Sequence, residues 1–200
     1  MNPYKVTEDF EKALSAYTGA PYVVCLNSCS AALLLALKWW ADGSHFDIEI
    51  PKHTYISVPH SIRLAGCTPT FYDIKWTGAY QLKPSPVWDC ARRFTSGMYR
   101  RGQFQCISFA SSKILGIEQG GAILHDNREA DAWFRKMRFD GRTEGVDPRH
   151  DKFDLVGHHC IMLPSIAAQG LLKLHFLPKH NKDLPHYDYP DLSQFKEIWE

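Results

Sequence analysis

Four polar signals in this chain fall where strands of an α/β protein would end, and each could do chemistry. Asn27, Ser28, Cys29 and Ser30 separate the apolar run Tyr22 to Leu26 from the longer apolar run Ala31 to Trp40. A turn from strand to helix leaves backbone N–H groups at the positive end of the helix dipole, which attracts a phosphate. The same four residues also suit an ordinary helix cap. Asp89 closes the short run Val87-Trp88-Asp89. A carboxylate there can pair with a ring nitrogen or cap a turn. Lys113 follows the run Gln105 to Phe109 and precedes Ile114 and Leu115. An amine so flanked is either half-buried with a lowered pKa or a solvated loop lysine. Tyr55 follows Pro51-Lys52-His53-Thr54. It is a core aromatic or a ring that covers a ligand.

A phosphate site, a carboxylate for a basic ring nitrogen, an amine able to take an aldehyde and an aromatic cover together describe pyridoxal 5′-phosphate (PLP) as the expected cofactor. A second chemistry stays open. Cys29 at a helix N-terminus could be an acidified thiol nucleophile, although no histidine stands at a defined spacing from it.

The elements that must position these groups can be read from the pattern. Val6, Phe10, Leu14 and Tyr17 repeat at helical spacing, with Gly19 just past the end. Strands are expected at 22–26, 46–50, 68–74, 87–89, 105–109 and 122–125. Helices are expected over 31–40, from about Thr54 to Gly66, from an Asn127 cap to about Phe139, and over Ser165 to Leu174. Asp191 or Ser193 should cap a short last helix, whose Leu192, Phe195, Ile198 and Trp199 form an apolar face. Lys75 to Pro86 shows turn residues and no helix. Strands alternating with helices mean an α/β fold with a mainly parallel sheet. In such a sheet, ligands bind beyond the carboxyl ends of the strands, which is where the four signals lie.

Composition narrows the function. In 200 residues, 23 Lys+Arg against 22 Asp+Glu leave a net charge of +1. That balance argues against a grip on nucleic acid or an anionic membrane by charge. The longest apolar run, Ala31 to Leu37, is far short of the ~18 residues of a spanning helix. The start, Met-Asn-Pro-Tyr-Lys, lacks the basic-then-apolar pattern of a signal peptide, so a cytoplasmic location is expected. The 6 cysteines include no CxxC pair and read as reduced, mostly buried thiols. His158-His159-Cys160 is the one metal-like cluster, and no metal is expected.

The order of motifs resembles the DegT/DnrJ/StrS family of PLP-dependent sugar aminotransferases over about residues 9 to 175. Ser28-Cys29-Ser30-Ala31-Ala32-Leu33 is similar to the phosphate-binding SGTAAL of that family, and Pro51 to Ser57 to its PxxTFxAT segment. Gly66 to Ile74 is similar to GAxPVFxDI, and Trp88-Asp89-Cys90-Ala91 to EDAA. Ser108, Phe109 and Lys113 with Gly120 and Gly121 resemble SFxxxK…EGG. The helix after Asn127 with Gly141 resembles LRxxG, and Gly157 to Leu174 resembles the family's GxNYRM…QAA segment. The sequence departs from the pattern at Cys29 and Ser30, at Gln119, and at His159-Cys160-Ile161 in place of NYR. Between Asp73 and Asp89 it has 15 residues where the family carries a strand and two helices.

The resemblance implies roles residue by residue. Lys113 would form the Schiff base and shuttle protons. Asp89 would keep the pyridine nitrogen protonated, and Tyr55 would stack on the ring. Ser28, Cys29, Ser30 and Ser108 would hold the phosphate, and Arg92 would face the ring hydroxyl. His159 would reach the phosphate of a neighbouring subunit. The implied fold is a three-layer α/β/α large domain of about six strands over residues 1–175. A tail over 176–200 follows, without the family's small C-terminal domain. The implied function is transfer of an amino group from glutamate to a keto sugar nucleotide by a homodimer. The alternative is a non-catalytic relative serving as a binding or pseudo-enzyme subunit.

Overall fold

The computed structural model describes residues 4–185 and 188–199. Helix α1 (Lys5–Thr18) leads into β1 (Tyr22–Leu26), α2 (Cys29–Ala41), β2 (Asp47–Pro51), α3 (Ser57–Leu64) and β3 (Thr68–Tyr72). Strands β4 (Tyr80–Gln81), β5 (Val87–Asp89), β6 (Phe104–Ser108) and β7 (Gly121–His125) follow, then α4 (Arg128–Arg138), α5 (Pro164–Phe176) and a last turn, α6 (Lys196–Trp199).

Period-two alternation sorts the strands onto two cores. Val24, Leu26, Cys106 and Ile123 face one cluster, which α2, α3 and α4 cover with Leu33, Leu37, Ile62 and Phe134. Val23, Cys25, Ile107, Ala122 and Leu124 face the other, covered by Phe10 and Leu14 of α1 and Ile166 and Ala167 of α5. The result is the expected three-layer α/β/α arrangement. The caps agree with the sequence reading. Ser28 Oγ accepts from Ala31 N–H at 3.1 Å, and Asn127 Oδ1 accepts from Glu129 and Ala130 N–H.

The strand pairings correct the expectation of a mainly parallel sheet. The larger sheet has the order β1-β7-β6-β5-β4, and only β5–β6 pair in parallel. Strands β2 and β3 form a separate parallel pair. A single antiparallel bridge, Glu49 to Lys83, joins that pair to the chain just beyond β4. Two reversed strands account for the discrepancy. The chain returns from β6 to β7 without a crossover helix, so β7 must run opposite to β6, and its place beside β1 makes that pairing antiparallel too. β4 is likewise reversed against β5. The remaining strands, β1, β2, β3, β5 and β6, run in one direction, so their carboxyl ends share one edge.

The count also differs from about six: there are seven strands among the described residues, in sheets of five and two. The added strand is β4, from a segment expected to supply none. A hairpin needs few residues. Here Leu82 N–H donates to Val87 O, and Ser85 Oγ to Leu82 O, which closes the turn within Leu82 to Val87.

Charges buried between α1, β1 and α4 are fully paired, as burial demands. Glu11 accepts from Cys25 N–H at 2.8 Å and from the guanidinium groups of Arg135 and Arg138. Arg138 donates further to Cys25 O and Glu144. In the tail, a 3-10 turn over Leu192–Gln194 is capped by Asp191. The expected apolar face divides. Leu192 and Trp199 are buried against their own chain, whereas Phe195 and Ile198 are 47% and 54% exposed. Among the described residues no helix is long and apolar enough to cross a membrane.

Candidate active site

The shared strand edge opens into a cavity of about 670 Å³, within the size range of small-molecule sites. Eight of the nine residues selected from the sequence line it: Ser28, Cys29, Ser30, Tyr55, Asp89, Arg92, Ser108 and Lys113. The ninth, His159, does not. Its Nδ1 lies 2.8 Å from Asp140 Oδ2, and it faces an adjoining cleft that shares Asn27, Ser30 and Ser57 with the cavity. A groove of about 770 Å³ along α1 and α4 is larger. Its Glu11 pairs with Arg135 and Arg138, and its Glu144 with Arg138, so these charges are already spent on one another.

One wall is the start of α2. Helix geometry leaves the N–H groups of Cys29 and Ser30 without acceptors inside the helix, pointing outward at the positive dipole end. The start of β7 presses close behind. A Cβ on Gly121 would stand 2.4 Å from Cys29 N, so only glycine lets β7 approach this turn. Ser30 Oγ donates to Ser57 Oγ at 2.7 Å, which brings a hydroxyl of α3 to the same rim. These donors suit a dianionic phosphate.

Opposite charge tuning marks the two candidate catalytic groups. Asp89, at the end of β5, is 4% exposed, and burial raises its carboxyl above the ordinary carboxylate range. Hydrogen bonds to Ala91 N–H (2.8 Å) and Tyr80 Oη (3.0 Å) and the charges of Lys113 and Arg92 work against that rise. Lys113 is half-buried. Burial and the nearby Arg92 charge lower its amine, while Asp89 opposes them. An ammonium disfavoured in this way yields a nucleophilic amine more readily than a surface lysine does. Cys29 goes the other way: burial and the charge of Asp89 push its thiol well above the usual value. That sets aside the reading of Cys29 as an acidified nucleophile.

Several wall residues were not singled out in the sequence. Tyr80 Oη lies 2.6 Å from Thr54 Oγ1 while it donates to Asp89. Trp76 lines the cavity, packs edge-on against Tyr80 at 4.7 Å and donates its indole N–H to His53 O. Tyr55, expected in the core or over a ligand, is 57% exposed at the cavity mouth. Tyr189 of the tail also lines the mouth, 6.2 Å from Tyr55 between ring centroids.

The tail is clipped on both sides of that mouth. Asp183 makes a bidentate pair with Arg93, Leu184 N–H donates to Arg92 O, and Arg92 Nε donates to Pro185 O at 2.7 Å. On the far side Leu192 N–H donates to Lys52 O, and Lys52 pairs with Asp73 and Asp191. Gly78 makes room for the first clip, because a Cβ there would stand 2.0 Å from Asp183 Oδ2.

The α/β fold matches those of solved aminotransferases. It superposes on AtS13 of Actinomadura melliaura with a TM-score of 0.74 at 20% identity, covering 86% of this chain and 60% of that one. It superposes on PseC of Helicobacter pylori, an aminotransferase of pseudoaminic acid biosynthesis, with a TM-score of 0.71 at 17% identity, covering 86% and 57%. Residues 1–98 match the model of the DegT/DnrJ/EryC1/StrS aminotransferase family. It is similar to the spore coat polysaccharide biosynthesis protein SpsC of Bacillus subtilis, at 40% identity over 67 residues that make up 34% of this chain and 17% of that protein. It is also similar to the dTDP-4-amino-4,6-dideoxy-D-glucose transaminase of Shigella dysenteriae, at 21% identity over 84% of this chain and 55% of that protein. The chain therefore spans little more than half the length of the second relative and a smaller share of the first.

Proposed function

We propose that this chain binds pyridoxal 5′-phosphate in the cavity and transfers an amino group, with glutamate as donor, to a keto sugar nucleotide. One observation carries the reading. A half-buried amine with a lowered pKa and a buried carboxylate face the same cavity, whose wall is the N-terminus of a 13-residue helix. These are the three groups the cofactor requires at its aldehyde, ring nitrogen and phosphate.

When bound, the cofactor supplies an electron sink for charge left on a substrate carbon. The protein supplies the rest. The Cys29 and Ser30 N–H groups and the Ser30 and Ser108 hydroxyls hold the phosphate. Asp89 accepts from a protonated ring nitrogen and keeps the proton there. Tyr55, exposed at the cavity mouth, would cover the bound ring. Arg92 brings a fixed cation to the ring oxygen. Lys113 Nζ would hold the aldehyde carbon and, once the donor's amine has displaced it, would be the neutral amine able to take the proton from the substrate carbon and return it. In this reading residues 1–175 form the cofactor-binding unit, and the tail from 176 closes its mouth with Tyr189. A cytoplasmic location belongs to the same proposal, supported by six free cysteines.

The test is a half-reaction. Protein loaded with PLP should lose its visible absorbance on adding glutamate, release 2-oxoglutarate, and regain the absorbance with a keto sugar nucleotide. A protein that takes up cofactor yet responds to no amino donor would support the non-catalytic alternative instead.

A homodimer completes the proposal. His159 lies outside its own cavity but beside a cleft that shares Ser30 and Ser57 with it. An isologous partner seated there would bring its own His159 toward this chain's phosphate wall. Light scattering should give twice the 22.9 kDa chain mass. A monomer with full cofactor occupancy would contradict it.

A further inference from the structure

We infer that Tyr80 is a positioning residue for this site, its hydroxyl fixing the orientation and charge of the Asp89 carboxylate toward the bound ring. The inference rests on the cofactor reading above and extends it to a residue that the sequence motifs pass over.

The geometry begins with strand register. Tyr80 stands directly opposite Asp89 in the antiparallel β4–β5 pair, where side chains of facing residues meet on one face. Tyr80 is 5% exposed. Its ring is held edge-on by Trp76, whose indole is tied to His53 O, so the hydroxyl has little freedom. That hydroxyl lies between Asp89 Oδ2 at 3.0 Å and Thr54 Oγ1 at 2.6 Å. A phenol has a single proton to give. If Tyr80 gives it to the carboxylate, Thr54 must donate to Tyr80, and the three side chains form a directed chain, Thr54 to Tyr80 to Asp89. Burial and the Asp89 charge push the Tyr80 hydroxyl well above its usual range, so it stays a donor.

Asp89 needs this help. A carboxyl that burial drives toward its neutral form cannot keep a proton on a ring nitrogen, because the charge that attracts the proton is gone. The groups that oppose this are few. Lys113 and Arg92 act from the cavity side, and Ala91 N–H binds Oδ1. The thiols of Cys29, Cys90 and Cys106 are raised by burial and by the Asp89 charge, and stay neutral. Among the described residues Tyr80 supplies the side-chain hydrogen bond to Asp89, on Oδ2, and each oxygen keeps a lone pair for the ring N–H.

The test uses Tyr80→Phe, which keeps the ring against Trp76 and removes only the hydroxyl, with Thr54→Val as the second variant. Two readouts separate this inference from the cofactor reading. In cofactor-free protein, the Asp89 carboxyl is titrated by carbon-13 NMR. Its midpoint should rise by about one pH unit in Tyr80→Phe, the size expected for one lost hydrogen bond to a buried charge, and by less in Thr54→Val. Separately, affinity is measured for PLP and for its 1-deaza analogue, which has carbon in place of the ring nitrogen. Tyr80→Phe should weaken PLP about tenfold and leave the analogue unchanged. An unmoved Asp89 midpoint, or equal losses for both ligands, would overturn the role of Tyr80. A wild-type protein that binds neither ligand would overturn the cofactor reading, and with it any role of Tyr80 toward the ring, whatever the titration shows.

Discussion

Lys113→Ala is expected to abolish covalent attachment of the cofactor and to reduce amino transfer by at least about three orders of magnitude. Noncovalent binding should persist, because the α2 N-terminus and the serine hydroxyls around it are untouched. Lys113→Arg should fare no better, since a guanidinium stays charged where a neutral amine is needed. The pH dependence has a definite sign. Burial and Arg92 lower the Lys113 amine, so the rate of cofactor attachment should rise with pH and level off at a lower pH than for a solvent-exposed lysine. Arg92→Ala removes one of the two causes and should move that plateau to higher pH. A plateau unmoved in Arg92→Ala would mean that the guanidinium does not act on the amine.

Asp89→Asn is expected to cost about 100-fold or more in amino transfer, the scale of losing a preorganised charge at a reacting centre. The same change should not destabilise the cofactor-free fold at neutral pH. Burial raises the Asp89 carboxyl in the folded state. A carboxyl raised on folding contributes stability below its unfolded pKa, and that contribution is lost as pH rises through the folded pKa. Ionised Asp89 at neutral pH is therefore a cost to the fold, kept for the site. Thermal melts of the cofactor-free variant should show a midpoint no lower than wild type at pH 7, with the wild type gaining relative to it as pH falls toward the acid range. A large loss of stability in Asp89→Asn would assign Asp89 a structural role instead.

Much of the site was legible because strand ends are written locally. Val87-Trp88-Asp89 is a strand of three residues with the carboxylate at its end, as its sequence suggests. The turn at Ser28 reads as a cap from residue type alone, and Lys113 is marked by the apolar run before it. The direction of the strands was not legible. Gly121 to His125 is buried along its whole length, and a buried run reads the same whether its chain runs up or down. The reversal comes from the missing crossover between β6 and β7. Tyr80 was invisible for a different reason. A strand of two residues shows no period, and its partner in the cavity is fixed by a hairpin closed around Ser85. Tyr189 sits in a proline-rich stretch without pattern. Its place at the mouth depends on contacts as distant in sequence as Arg93 with Asp183 and Lys52 with Asp191. The tail face failed by half because helical spacing marks an apolar stripe but not its partner. Trp199 found Phe71 and His60, whereas Phe195 and Ile198 stayed outside.

Lys113 and the α2 N-terminus should act as one cofactor site. Incubating the purified chain with PLP, fixing with borohydride, digesting and sequencing the labelled peptide tests it most directly. A single modified lysine, Lys113, is expected at near-stoichiometric yield, with labelling suppressed by excess inorganic phosphate. Label on another of the chain's lysines, or yield indifferent to phosphate, would contradict it.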